Sequence, residues 1–156
     1  MLRKATLEDL EQLLMLRMAL IRSANGLMEN EDLSMLYQSN YQYIQDELNK
    51  GIFIWVVEEQ GEIVGTIGLN LFQKPPTYTN PSGREAYIMN VYVKEEYRGR
   101  GYGTQLVRTV LNYCEERGYE KVDIVATKEG KPLYLKLGFK EKERVMEYSV
   151  NKEKLM

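Results

Sequence analysis

Hydrophobic positions in the first third of the chain recur with helical spacing after a short apolar start. Residues 2–5 are typical of a short β-strand, and leucine and isoleucine then return every three or four positions between residues 10 and 21. After the turn signal Asn25-Gly26, a second helical pattern runs from about Glu31 to Lys50. Its tyrosines lie on the apolar stripe, so we assign most of them to the core, with lining of a binding pocket as the alternative.

Two β-branched and aromatic runs, residues 52–58 and 63–72, follow the helices and flank the turn signal Gln60-Gly61. Runs of this kind on either side of a short turn predict a β-hairpin. The next segment, from Gln73 to Arg84, holds three of the four prolines and is predicted to be a long loop. Since loops this long in compact domains are usually functional or structureless, it is either a mobile binding loop or a surface insertion.

Strand and helix patterns alternate in the second half of the chain. They predict a strand at 85–94, a helix at 101–117, a strand at 122–126, a short helix at 132–137 and a strand region at 139–150. Gly118 and Gly138 close the two helices. Cys114 falls on the apolar stripe of the longer helix and is expected in the core.

Composition narrows the class of protein. The 156 residues suit one domain, 1–156, with 44% hydrophobic and 28% charged residues. A net charge of -2 without a basic stripe argues against a nucleic-acid partner. No stretch approaches the roughly 18 apolar residues of a membrane span, so no membrane partner is expected.

The cysteine and histidine content excludes several chemistries. Cys114 is the single cysteine and cannot form an internal disulfide, which favours a cytoplasmic location. With no histidine and one cysteine, the usual zinc clusters and histidine-based triads are excluded, and no metal is expected. Chemistry must therefore come from carboxylates, tyrosines, backbone groups or a bound cofactor.

A strand, a glycine-rich turn and a helix start follow one another at Val91-Tyr92-Val93 and Arg98-Gly99-Arg100-Gly101-Tyr102-Gly103-Thr104. Glycines let the backbone approach a ligand closely, and free N–H groups at a helix N-terminus point at anions. Arg98 and Arg100 add positive charge. The segment predicts a pyrophosphate cradle, with a plain tight turn as the alternative. It is neither a dinucleotide fingerprint, because Thr104 replaces the third glycine, nor a Walker loop, because Gly-Lys-Ser/Thr is absent.

Two motifs together resemble those of the GNAT superfamily of acetyl-coenzyme A-dependent N-acetyltransferases. Arg98-x-x-Gly101-x-Gly103 is similar to the family's phosphate-loop signature, and the segment from Pro132 to Phe139 is similar to its second motif. The resemblance covers nearly the whole chain. It implies an α/β (α+β) GNAT fold, with a central mixed, mostly antiparallel sheet of six to seven strands flanked by about four helices.

The resemblance also implies direct transfer of an acetyl group from acetyl-CoA, the donor substrate, to a primary amine in a ternary complex. The Val91 N–H would polarise the thioester carbonyl, and Val93 would pair with the pantetheine amides. Val91, Tyr92, Val93 and the whole stretch from Arg98 to Thr104 are thus cofactor-binding candidates. Tyr134 is implied as the general acid, since a tyrosine of pKa about 10 stays protonated at neutral pH. Packing on a short helix is the alternative role for Tyr134.

Two departures from the family pattern affect the site. Thr127 and Gly130 stand where many members carry Asn and Ala, which leaves Thr127 as a cofactor-binding candidate without the Asn contact. Tyr87 stands where many members carry Glu, so the family's general base does not transfer. Because strand side chains alternate, Glu85 and Tyr87 are predicted to share a face with Val91, and Glu85 becomes the candidate base. The alternative for Glu85 is a solvated carboxylate at the start of a strand.

The acceptor amine is not determined by the sequence. A peptide N-terminus, a lysine side chain, a polyamine, an amino acid and an aminoglycoside are all compatible with the resemblance, which fixes the donor only. We expect the loop 73–84 to border the acceptor site. The oligomeric state is open, with a homodimer as one option. A catalytically silent acyl-CoA-binding module and a nucleotide-binding domain of another kind are the competing functions.

Overall fold

The computed structural model describes residues 1–150 as a mixed α/β protein. Its elements in chain order are β1 (Leu2–Lys4), α1 (Leu10–Asn25), α2 (Ser34–Glu47), β2 (Ile52–Glu59), β3 (Glu62–Gln73), β4 (Arg84–Val93), α3 (Tyr102–Glu116), β5 (Lys121–Ile124) and α4 (Lys131–Lys136). They form two compact units: Met1–Val125, and a second unit that begins at Ala126 and carries α4. The predicted fold class is confirmed, while the single domain expected for 1–156 stays a prediction.

The sheet of the first unit has five strands in the order β1-β2-β3-β4-β5. Strands β1 to β4 pair antiparallel, and β5 runs parallel to β4. Six to seven strands were expected, and the difference includes the segment 139–150, which forms no strand. Val145 and Met146 in that segment are 92% and 95% exposed. A segment that neither pairs nor buries an apolar face lacks what stabilises a strand in water.

The predicted hairpin turn at Gln60-Gly61 is confirmed. Gln60 and Gly61 between β2 and β3 have positive φ angles of 52° and 79°, as short hairpin turns require.

The second helix is shorter than the predicted 31–50. It begins at Ser34, whose N–H and hydroxyl both bond to the Asp32 carboxylate, and it ends at Glu47.

A β-bulge interrupts the ladder between β3 and β4. The register shifts by one residue between Met89 and Tyr92, so that Asn90 and Val91 together face a single residue of β3. Asn90 has a positive φ of 59°, a conformation that asparagine tolerates better than most residues.

The bulge reverses the alternation of side chains along β4. Glu85 and Tyr87 share a face with Met89, whereas Val91 and Val93 lie on the opposite face. The prediction that Glu85 and Tyr87 share a face with Val91 is therefore wrong. Counting alternate positions along the sequence does not account for the extra residue that the bulge inserts.

Helices cover both faces of the sheet. On one face, Leu13, Leu14 and Ile44 of α1 and α2 belong to the main apolar core. On the other face lies α3, with Leu106 and Cys114 fully buried, and the predicted core position of Cys114 is confirmed. Within residues 1–150, no helix combines the length and the apolar character that crossing a membrane requires.

Candidate active site

The glycine-rich turn leads into a helix whose first N–H groups have no side-chain cap. Gly99 and Gly101 have positive φ angles of 77° and 85°, and Gly101 is the N-cap of α3. The first helical hydrogen bond runs from the Gln105 N–H to the Gly101 carbonyl at 3.0 Å. The preceding N–H groups of the first turn therefore have no intrahelical acceptor, which makes this end of α3 suited to an anion.

The two arginines of the turn are held by different partners. Arg98 donates through Nε to the Val93 carbonyl at 2.8 Å, so its side chain lies at the end of β4. Arg100 instead lies 3.6 Å from the Glu59 carboxylate of β2. The Tyr102 hydroxyl donates to the same carboxylate, which raises the pKa of that tyrosine. Sequence reasoning missed Glu59, since its contacts with Arg100 and Tyr102 join residues that are distant in sequence.

Beside this turn, β4 has an open edge. Pairing with β5 ends at Ile88 and Ile124, and β4 continues to Val93. The Lys94 N–H donates to the Val64 carbonyl of β3 at 2.8 Å. Since the backbone groups of successive residues in an antiparallel strand point in alternating directions, those of Tyr92 also point toward β3, and those of Val91 and Val93 point away from it. Across the described residues no strand pairs with β4 there. An extended ligand could therefore add its amides to this edge.

A cavity of about 110 Å³ lies between α1, α2 and the bulged part of the sheet. Most of its wall is apolar. Its polar lining comes from six residues, namely Arg17, Asn40, Tyr43, Thr66, Asn90 and Tyr92. No residue of the loop 73–84 lines this cavity, and the expectation that the loop borders the acceptor site stays a prediction.

Arg17 is the only charged residue in the lining of that cavity. Its Nε donates to the Asn40 side-chain oxygen at 3.2 Å, and its Nη1 donates to the side-chain oxygen of Asn90. Desolvation by burial lowers its pKa from the usual arginine value. Arg17 falls between Leu14 and Ile21 in the helical pattern of α1, and sequence reasoning gave it no role. The available signal was a cation on a stripe otherwise made of leucine and isoleucine.

The loop after β3 is tied together by its own hydrogen bonds. Asn80 is 2% exposed, and its amide donates to the Arg84 carbonyl at 3.2 Å. The Lys74 N–H bonds to the Gly83 carbonyl at 2.8 Å, which closes the loop at its base. The predicted mobility of this loop without ligand stays a prediction.

Glu85 lies apart from the open edge. It is 5% exposed and pairs with Lys121 at the start of β5, six positions before Val91 or roughly 20 Å along the strand. Its Oε1 lies 3.5 Å from the Lys74 ammonium and 3.4 Å from that of Lys121. These contacts identify Glu85 as the centre of a buried ion-pair cluster and remove the geometric argument for its role as a base.

Tyr134 and Thr127 belong to the second unit. The Thr127 hydroxyl accepts the Gly130 N–H at 3.1 Å, so this side chain shapes the turn before α4. Tyr134 is 8% exposed, and its ring packs edge-on against Phe139 at 5.8 Å. Burial raises the pKa of Tyr134. Because its pKa is raised, the hydroxyl stays protonated at neutral pH, and among residues 1–150 it has no hydrogen-bond partner.

Comparison with known proteins finds N-acetyltransferases among the relatives of this chain. A protein described as N-acetyltransferase 8 from Rattus norvegicus is 36% identical over 101 residues, which are 62% of this chain and 42% of the relative. Thialysine N-epsilon-acetyltransferase from Bos taurus is 32% identical over 84 residues, 52% of this chain and 47% of the relative. The chain thus spans less than half the length of these two curated relatives.

Solved structures match over nearly the full chain. A predicted acetyltransferase from Clostridium acetobutylicum, crystallised with acetyl-CoA, has a TM-score of 0.85 and 31% identity, covering 96% of this chain and 95% of the other. A GCN5-related N-acetyltransferase from Ralstonia eutropha has a TM-score of 0.83 and 28% identity, with coverages of 96% and 97%. The model of the acetyltransferase (GNAT) family matches residues 18–139. This chain belongs to the GNAT family of acetyltransferases.

Proposed function

We propose that this protein transfers an acetyl group from acetyl-CoA to a primary amine, with both substrates bound at once. The observation that carries the proposal is the juxtaposition of the uncapped N-terminus of α3 and the open edge of β4 beyond Ile88. The first suits a pyrophosphate, and the second suits the amides of the pantetheine arm. Acetyl-CoA is the donor substrate, and the crystallised Clostridium relative was obtained with it.

The reaction forms a C–N bond and breaks a C–S bond. The neutral amine nitrogen attacks the thioester carbon, while the Val91 N–H stabilises the negative charge that develops on the carbonyl oxygen. Val93 pairs with the pantetheine arm, and the stretch from Arg98 to Thr104 holds the pyrophosphate. The departing thiolate takes its proton from Tyr134, and the proton that the attacking nitrogen loses passes to water, from which the Tyr134 hydroxyl is restored. Glu85 has no part in the proposal, because its carboxylate is engaged by two lysines and faces away from Val91.

The test combines donor binding with turnover. Acetyl-CoA at 100 times its dissociation constant should add about 2.7 kcal/mol to the free energy of unfolding, whereas NAD and ATP should add little. A panel of amines assayed by CoA release then measures transfer. Binding of acetyl-CoA without release from any amine would identify a silent acyl-CoA-binding module. Equal stabilisation by NAD or ATP would point to another kind of nucleotide-binding domain.

A further inference from the structure

The cavity on the α1 and α2 side of the sheet is lined by one positively charged side chain, Arg17, that has no anionic partner among the described residues. Among residues 1–150, Arg17 forms no ion pair, and the side chains that it contacts, Asn40 and Asn90, are neutral. Tyr43 and Tyr87 are close enough to interact with its charge, and neither of them is a carboxylate. The local charge is thus positive in a protein of net charge -2.

Arg17 is half-buried. Removing a guanidinium even partly from water without an anion is unfavourable, and buried charged groups in proteins are usually paired. Arginine has five N–H donors, and two of them are used by the asparagine oxygens. Arg17 Nη2 has no hydrogen-bond partner among residues 1–150, yet it is not sealed in the interior, because Glu85 Oε1 is the only buried side-chain N or O atom without a hydrogen-bond partner in the described part of the chain. Arg17 therefore presents unused donors at an accessible wall of the cavity.

Arg17 lies close to the open edge of β4, where the pantetheine arm is proposed to bind. Asn90, which accepts from Arg17, precedes Val91 directly, and Asn90 and Tyr92 both line the cavity. A group held by Arg17 would thus lie at the bulge from which β4 continues as the open edge. The volume of about 110 Å³ is smaller than the roughly 300–1,000 Å³ of pockets that enclose a drug-sized ligand. It suits one end of a small acceptor.

We propose that the acceptor is a small primary amine that also carries an anionic group, a carboxylate or a phosphate, and that Arg17 binds this group. A guanidinium fork matches both anions, so they share one recognition chemistry. The anionic end lies at Arg17, and the amine lies toward the open edge of β4. This inference rests on the proposed acetyl transfer and narrows its acceptor.

Matched acceptor pairs test the inference. Glycine is compared with glycinamide and phosphoethanolamine with ethanolamine, and kcat/KM is measured for wild type and Arg17→Met. The variant should lower kcat/KM about 10-fold to 100-fold for the anionic member and leave the neutral member nearly unchanged. Arg17→Lys keeps the charge, so its kcat/KM for the anionic member should fall between the values for wild type and Arg17→Met. Lys50→Met removes one positive charge at an exposed turn and should change neither ratio. If Arg17→Met loses more kcat/KM with glycine, the preferred anion is a carboxylate. If it loses more with phosphoethanolamine, the preferred anion is a phosphate.

The outcomes separate this inference from the proposed function. Equal loss, or no loss, for both members of each pair overturns the role of Arg17 and leaves acetyl transfer in place. If no amine is acetylated, the proposed function fails, and calorimetry decides the inference. Glycine and phosphoethanolamine are then titrated into CoA-saturated protein. Binding that disappears in Arg17→Met while CoA affinity is unchanged supports an anion site, and absence of binding in wild type overturns it.

Discussion

Arg17 in α1 donates a hydrogen bond to the side-chain oxygen of Asn90 at the bulge of β4, across a separation of 73 positions in the chain. This contact joins the helix that covers one face of the sheet to the point where β4 becomes an open edge. If Arg17 binds the acceptor, Asn90 fixes the orientation of its guanidinium.

Asn90→Gly should raise KM for an anionic acceptor about 2-fold to 10-fold, the range expected for one lost hydrogen bond. Glycine accepts the positive φ of 59°, so the bulge is retained and only the side chain is removed. The affinity for acetyl-CoA should not change. Asn49→Gly is the matched control, since Asn49 also has a positive φ, 65°, and lies in the turn after α2. An equal effect in both variants would contradict the assignment.

Gly101→Val should weaken acetyl-CoA binding strongly in calorimetry, because valine is strained at a φ of 85° and the backbone at the start of α3, with its N–H groups, would have to shift. Gly26→Val provides the control. Gly26 has a φ of 61°, and, as at Gly101, an added Cβ would meet no atom within 4 Å. Both variants should lose stability, whereas the loss of affinity should be confined to Gly101. Unchanged affinity in a folded Gly101→Val would exclude the cradle.

Tyr134→Phe should lower kcat about 100-fold to 10,000-fold with little change in acetyl-CoA affinity, because the hydroxyl is needed only when charge develops on sulfur. Burial raises the pKa of Tyr134, so the wild-type rate should not decline through its ionisation below about pH 10. Tyr113→Phe serves as a control, as this ring packs against Trp55 at 4.9 Å. Wild-type turnover in Tyr134→Phe, where chemistry limits the rate, would assign Tyr134 to packing.

Glu85→Gln should lower the free energy of unfolding by about 1–3 kcal/mol, since it removes the anion that Lys74 and Lys121 share. The value of kcat should remain close to that of wild type. Chemical denaturation and steady-state kinetics on the same preparation measure both quantities. A loss of kcat greater than about 100-fold with stability retained would restore Glu85 as the general base.

Acid should weaken the contact between Arg3 and Asp9. The Arg3 hydrogen bonds at 2.9 Å hold the pKa of Asp9 below its usual value of 3.8. A lowered carboxyl pKa contributes stability above the unfolded-state pKa, and that contribution is lost as pH falls through the folded-state pKa. The difference in unfolding free energy between wild type and Asp9→Asn should therefore shrink from about pH 5 to about pH 2. A constant difference would show that the ion pair does not contribute.

The sequence by itself determined the features whose physics is local. The glycines of the α3 cradle and the turn at Gln60-Gly61 are fixed by backbone conformations that neighbouring residues dictate, and both were predicted at the right positions. The apolar stripe that buries Cys114 follows from helical spacing in the same way. The family resemblance rests on two motifs that are each local in sequence, the glycine-rich turn before α3 and the segment from Pro132 to Phe139, which explains why it could be stated from the sequence.

Only the tertiary structure decided the rest of the site. The bulge at Asn90 depends on pairing with β3, and it moved Glu85 to the face opposite Val91. The hydrogen bond from Arg17 to Asn90 and the ion pair between Glu85 and Lys121 each join side chains that are distant in sequence. Register and charge pairing are settled by these long-range contacts, because a one-residue shift in a strand changes every facing side chain without altering any local pattern.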